Sequence, residues 1–313
     1  MSVRSVIIVP VDGTPDIERT LEYAVGVAST RAADIHAVQV VPRDGGLWIA
    51  PQNETALRAR LRALRPWAES QGVSLTIVTL RGRSERVIAA YAQLSGAGMI
   101  VVGQYYGTPR FWRSVTLTIR LTRISPVPVV VVPRGLETAA RVLPKRIVVA
   151  VDFTVASAIA LRTAAKLARG PGRSLTILHA TDAPRRLVFS GSEASRLAHR
   201  LPAEAKTLAH RLRRTAIAFG SDDAEPVVVT GGADRGIVEA ATRTGADLIV
   251  MGVAPRTWLD VAVSASTLRG VLRRARVPVL VVPVVAGAHE WIDHVSHDTV
   301  GISPSGATAR RAA

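Results

Sequence analysis

The chain's 313 residues include no cysteine, which excludes a disulfide-stapled scaffold, a thiol nucleophile and cysteine-ligated zinc or iron–sulfur chemistry. Lysine is scarce too: of 40 basic residues only Lys145, Lys166 and Lys206 are lysine, leaving 37 arginines. Only Lys206 precedes a hydroxyl residue, and Ala205 stands before it, so the G-x4-G-K-[ST] phosphate loop is missing. The G-x-G-x-x-G dinucleotide fingerprint and the G-x-S-x-G nucleophile elbow are missing as well, and spacing assigns no catalytic triad. No apolar run approaches the length of a membrane span. The opening run, Val6 to Val11, is too short for a signal segment with its cleavage site and is closed by Asp12. These absences lead to the expectation of a soluble cytoplasmic protein, not an enzyme, with no membrane partner.

Aromatic residues make up only 4% of the chain, although the formal net charge is +16. A nucleic-acid reader would be expected to show a recognisable module or an aromatic stacking platform. The arginines are instead scattered over helical patterns, as at Arg58, Arg60, Arg62 and Arg65, at Arg120 and Arg123, and at Arg211, Arg213 and Arg214. Solvated helix faces account for them, and no specific nucleic-acid partner is expected.

What the chain does have is the same text twice. GAGMIVVG at 96 to 103 matches GADLIVMG at 245 to 252, and each is followed by a valine run, VPVVVVP or VPVLVVP. Asp152 minus Asp12 is 140, His179 minus Gln39 is 140, and Gly252 minus Gly103 is 149. The second copy therefore carries about nine extra residues near RRLVFSGSEASRL. The expected division is a domain over 1–137, a second over 144–286, a linker near Gly135 to Pro144, and a disordered tail over 287–313. The tail holds His289, Glu290, Asp293, His294, His297 and Asp298, but HEWID fails the H-E-x-x-H pattern and no metal is expected.

Within each copy, strand-length runs of Val, Ile and Leu alternate with helical stripes. Leu21, Ala24, Val25 and Ala28 match Leu161, Ala164, Ala165 and Ala168, spaced to lay one helix face on a sheet. Strands that are apolar throughout, separated by helices, predict an α/β fold: in each copy a parallel sheet buried on both faces, with right-handed crossovers. Such a sheet takes ligands outside the carboxyl ends of its strands, where strand order reverses. Asp12 and Asp152 follow the first strand of each copy, in VPVDGT and VAVDFT. Thr14 and Thr154 suit the helix caps, which leaves the two aspartates free for other work, or else turn carboxylates beside a helix start.

On these residues, with D-G-T at Asp12, GADLIVMG and the Val277 to Val282 strand, both halves resemble universal stress protein domains. The resemblance covers residues 3 to 133 and 145 to 284 and is to the tandem members of that family. It implies two five-stranded, Rossmann-like parallel sheets, a role in stress response, and ATP or another adenine nucleotide as ligand in some members. The adenine side would be Asp12 with Val40, and Asp152 with Ala180. The phosphate side would be a loop of the form G-x2-G-x9-G-[ST], whose glycine amides and helix start hold an anion. Gly252 and Ser266 keep their places in that form, but Pro255 and Ala265 replace the other two glycines. In the first copy Gly103 and Thr116 remain, Tyr106 stands at the second glycine, and the loop is one residue shorter. The expectation is weak adenine-nucleotide sensing or action through protein contacts, the alternative being an ATP-binding protein with slow hydrolysis. Trp112 and Trp258 fall in the same loops and are expected to cover apolar surface.

The family dimerises through its last strand. Here one chain supplies both copies, so Val129 to Val132 can pair with Val279 to Val282 in an intramolecular pseudo-dimer, which also protects two valine-rich edges. Whether two such units join in a further homodimer is left open by the sequence.

Overall fold

The computed structural model describes residues 4–11, 17–41, 51–104, 111–136, 143–181, 203–254 and 263–284; at 51–54, 111–116, 203–204 and 263–265 it describes the backbone alone. Asp12, Thr14, Tyr106, Pro255, Trp258, the extra segment of the second copy, the centre of the linker and the His-containing tail lie outside these residues.

The N-terminal half runs β1 (Val6–Val11), α1 (Ile17–Ser29), β2 (Asp34–Val41), α2 (Pro51–Ser70), β3 (Leu75–Arg81), α3 (Ser84–Leu94), β4 (Ala97–Gly103), α4 (Phe111–Ile124) and β5 (Val129–Val132). The C-terminal half repeats the plan with β6 (Arg146–Ala150), α5 (Val155–Leu167), β7 (Ser174–Thr181), α6 (Ala203–Ala218), β8 (Glu225–Thr230), α7 (Ala233–Arg243), β9 (Leu248–Val253), α8 (Val263–Arg274) and β10 (Val279–Pro283). All ten strands join one sheet in the order β3-β2-β1-β4-β5-β10-β9-β6-β7-β8. Pairing is parallel within each half and antiparallel only at the seam, where Val131 faces Val279, Val130 faces Leu280 and Val129 faces Val281. The valine runs thus meet as the sequence predicts, and the two carboxyl edges open on opposite sides of the sheet.

Continuous apolar strands need cover on both faces, and two helix layers supply it. On one face α1, α2, α5 and α6 share a core with Val9, Ile35, Val130, Val149, Ile177 and Leu280. On the other, α3, α4, α7 and α8 pack on Ile8, Ile100, Val129, Val148 and Ile249. Each fully buried Val or Leu contributes roughly 1.5–3 kcal/mol, and the seam residues are buried in the same two cores as the interiors of both halves. A polar contact crosses as well: the buried Gln104 side-chain amide, just past β4, donates to the Leu272 carbonyl near the end of α8. That carbonyl belongs to the last turn of the helix, where carbonyls lack helical partners.

Candidate functional site

Strand order reverses at β1/β4 and at β6/β9. In the C-terminal half Ala150 pairs with Leu178 and Val149 with Val250. Continuing these registers sets Asp152 level with Ala180 and Gly252 level with Val151, one residue short of Asp152, so that all three reach the same carboxyl edge. In the N-terminal half Val11 pairs with Gln39, and Val40, the next residue of β2, is a buried side chain on the α3 face. Gly103 ends β4 opposite Val132.

Asp152 is not free. Its Oδ1 accepts from the Thr154 hydroxyl at 2.6 Å and from the Thr154 N–H at 3.1 Å, while the Thr154 side chain caps α5 by accepting from the Ser157 N–H. Burial pushes the Asp152 carboxyl up, but hydrogen bonds from the Thr154 hydroxyl, from Ser157 and from backbone N–H groups outweigh it, and the group is held below the ordinary carboxylate range. Of the two readings of this aspartate, a turn carboxylate beside a helix start is the one the hydrogen bonds match: Oδ1 is engaged by the capping threonine rather than left free.

Gly252 also has a structural task. A Cβ built on it would overlap the Ala156 carbonyl in the first turn of α5 and come within 2.9 Å of the Ser157 nitrogen. The glycine is needed for close approach of strand and helix, whatever its loop does with an anion. Ser266 is exposed in the first turn of α8, whereas Thr116 is the sixth residue of α4, which starts at Phe111. Reading Thr116 as a helix start is thus corrected; the helix begins more than a turn earlier.

Beside Asp152 lies an arrangement that sequence reasoning missed. Phe153 has φ +61°, a left-handed conformation that costs a bulky residue on the order of 1–3 kcal/mol. Its ring lies 4.9 Å from the His179 ring, and the Arg211 guanidinium from α6 stands over it at 3.8 Å. A cation over an exposed ring contributes about 0.5–1 kcal/mol. His179 Nδ1 sits 2.7 Å from the Val151 carbonyl; a carbonyl only accepts, so Nδ1 carries the proton. At the matching place in the N-terminal half, Gln39 is 2% exposed and its Oε1 has no hydrogen-bond partner. A position-by-position comparison of the two copies, VDGT against VDFT above all, was the signal that could have found the stack.

The sequence model of the universal stress protein family matches residues 4–133 and 144–283. The chain belongs to that family. Among solved structures, a universal stress protein from Archaeoglobus fulgidus DSM 4304 superposes with TM-score 0.62 at 16% identity, covering 89% of this chain and 96% of that one. A functionally unknown protein from Pseudomonas aeruginosa PAO1 gives TM-score 0.53 at 19% identity, with coverages of 94% and 96%. Both likenesses concern the fold and extend across both halves. A universal stress protein solved in complex with cAMP is 25% identical over 45% of this chain and 97% of its own, with TM-score 0.31. No curated protein matches the sequence. Among the described residues of this universal stress protein, no group of three or more His, Cys, Asp or Glu could hold a metal ion, and no helix is long and apolar enough to cross a membrane.

Proposed function

We propose that this tandem universal stress protein works in stress response without catalysing a reaction, holding an adenine nucleotide, ATP included, weakly in the crevice of its C-terminal half and acting through protein contacts. The observation that supports this reading is the arrival of Asp152, Ala180 and Gly252 at one carboxyl edge, within a residue of register, where strand order reverses. Weakness follows from the loop chemistry: Pro255 offers no N–H, and Ala265 brings a Cβ where a glycine backbone would approach phosphate. A cytoplasmic setting belongs to the same reading and is checked by cell fractionation.

Equilibrium dialysis and a thermal-shift series with ATP and AMP test the proposal. Small, similar stabilisation by the two nucleotides is expected; a large stabilisation specific to ATP, or stoichiometric nucleotide released from freshly isolated protein on denaturation, would overturn the weak-binding reading. Phosphate release from ATP above that of a mock preparation would favour the slow-hydrolysis alternative.

A further inference from the structure

We propose that the C-terminal half carries an anion site built on Phe153, in which the Arg211 guanidinium receives a phosphate or a similar oxyanion of a small ligand. The site is separate from the glycine-loop position: α6 covers β7 and β8, on one side of β6, whereas the loop follows β9 on the other. The inference deepens the proposed function by naming a chemical group that this crevice would select, and its test separates the two.

Three observations converge. The stack is not demanded by the fold, because the matching positions of the N-terminal half are Gly13, Gln39 and Ala63. The last match follows from α2 and α6, where the fully buried Ala68 and Ala216 and the left-handed Gly72 and Gly220 each differ by 148. The sequence has glycine at the first of these positions, whereas Phe153 adopts a strained φ and presents a ring to Arg211.

Arg211 is exposed and, among the described residues, no acid pairs with it. The ring holds its guanidinium in place, so less freedom is lost when its fork engages an oxyanion. The carboxylate directly before Phe153, Asp152, is directed to Thr154 instead.

Finally, α6 carries Lys206, Arg211, Arg213 and Arg214 with no acid from Ala205 to Ala218. In its counterpart α2 two of the four arginines are engaged: Arg60 grips both Glu18 oxygens at 2.5 and 2.6 Å, and Arg58 donates to the Thr79 hydroxyl. The field around α6 therefore attracts anions and that around α2 is partly neutralised.

The test uses the full chain at low ionic strength, titrated with inorganic phosphate and followed by isothermal calorimetry, for wild type, Arg211→Gln and Arg213→Gln. Arg211→Gln is expected to weaken phosphate binding about tenfold or more, and Arg213→Gln, the same charge change on the same helix, less than about twofold. AMP should displace the phosphate and adenosine should not. Absence of phosphate binding by wild type, or equal losses in the two variants, overturns the site. Arg211-dependent phosphate binding with no displacement by AMP or ATP leaves the anion site standing and removes the adenine-nucleotide reading. Adenosine binding that ignores Arg211, without any phosphate binding, does the reverse.

Discussion

At matched positions the N-terminal half has Gly13, Gln39 and Ala63 where the C-terminal half has Phe153, His179 and Arg211. The reverse contrast lies elsewhere: Glu18 with Arg60, and His36 with Tyr91, have Ala158, Leu208, Thr176 and Ala240 as counterparts. The interior does not diverge in this way, for Leu21 and Ala24 of α1 and Leu161 and Ala164 of α5 are all buried in the same core. Packing between helix and sheet fixes the interior, while polar positions outside it, at the carboxyl edge and elsewhere, are free to differ. The N-terminal half has used that freedom to pair its charges internally, and the C-terminal half to leave an arginine standing over a ring.

The comparison can be broken hardest at the seam. Leu280 is 2% exposed and faces Val130, so Leu280→Ala should cost about 2–5 kcal/mol, read from urea denaturation, and loosen both halves together. Two separated transitions in the wild type would show that the halves do not stabilise one another. Next in size is Gly252→Ala: the new methyl collides with backbone, which cannot rotate away, and a loss of about 1–3 kcal/mol is expected even without ligand. An unchanged midpoint would return Gly252 to a purely ligand-binding role. Thr154→Ala removes the α5 cap and the partner of Asp152, and should lower stability by about 0.5–2 kcal/mol.

The smallest effect distinguishes the halves by pH. Burial lowers the His36 imidazole below its ordinary value, with Asp34 opposing, and Nδ1 lies 2.8 Å from the Tyr91 hydroxyl. A depressed folded value means that the neutral ring is favoured. Its contribution is complete above the unfolded value of about 6.5 and is lost as pH falls through the folded value. Denaturation midpoints should therefore drop, as pH falls below about 6.5, more steeply in wild type than in His36→Thr, which carries the residue found at position 176. Parallel curves would remove His36 from the account.

The fold was open to reading because burial on both faces writes strands as unbroken Val, Ile and Leu, and duplication writes each landmark twice. GADLIVMG and the valine runs became β9, β5 and β10, and the paired edges followed from the need to cover them. The site was harder. Asp152 and Gly252 were visible as residues, but their hold on the start of α5 depends on a hydrogen bond and a close approach that no spacing encodes. Arg211 was visible too, as one arginine among many on a helical face; only the left-handed turn at Phe153 shows which ring it meets. Thr116 was displaced because α4 starts at Phe111, five residues earlier than the loop pattern implied.

The antiparallel join of β5 and β10 has a consequence for how such a molecule can change. In a dimer of identical subunits every substitution appears twice, once on each side of the axis, so a charged group gained at one mouth is gained at both. A fused pair escapes that constraint. One side can become a receptor while its twin serves as a brace.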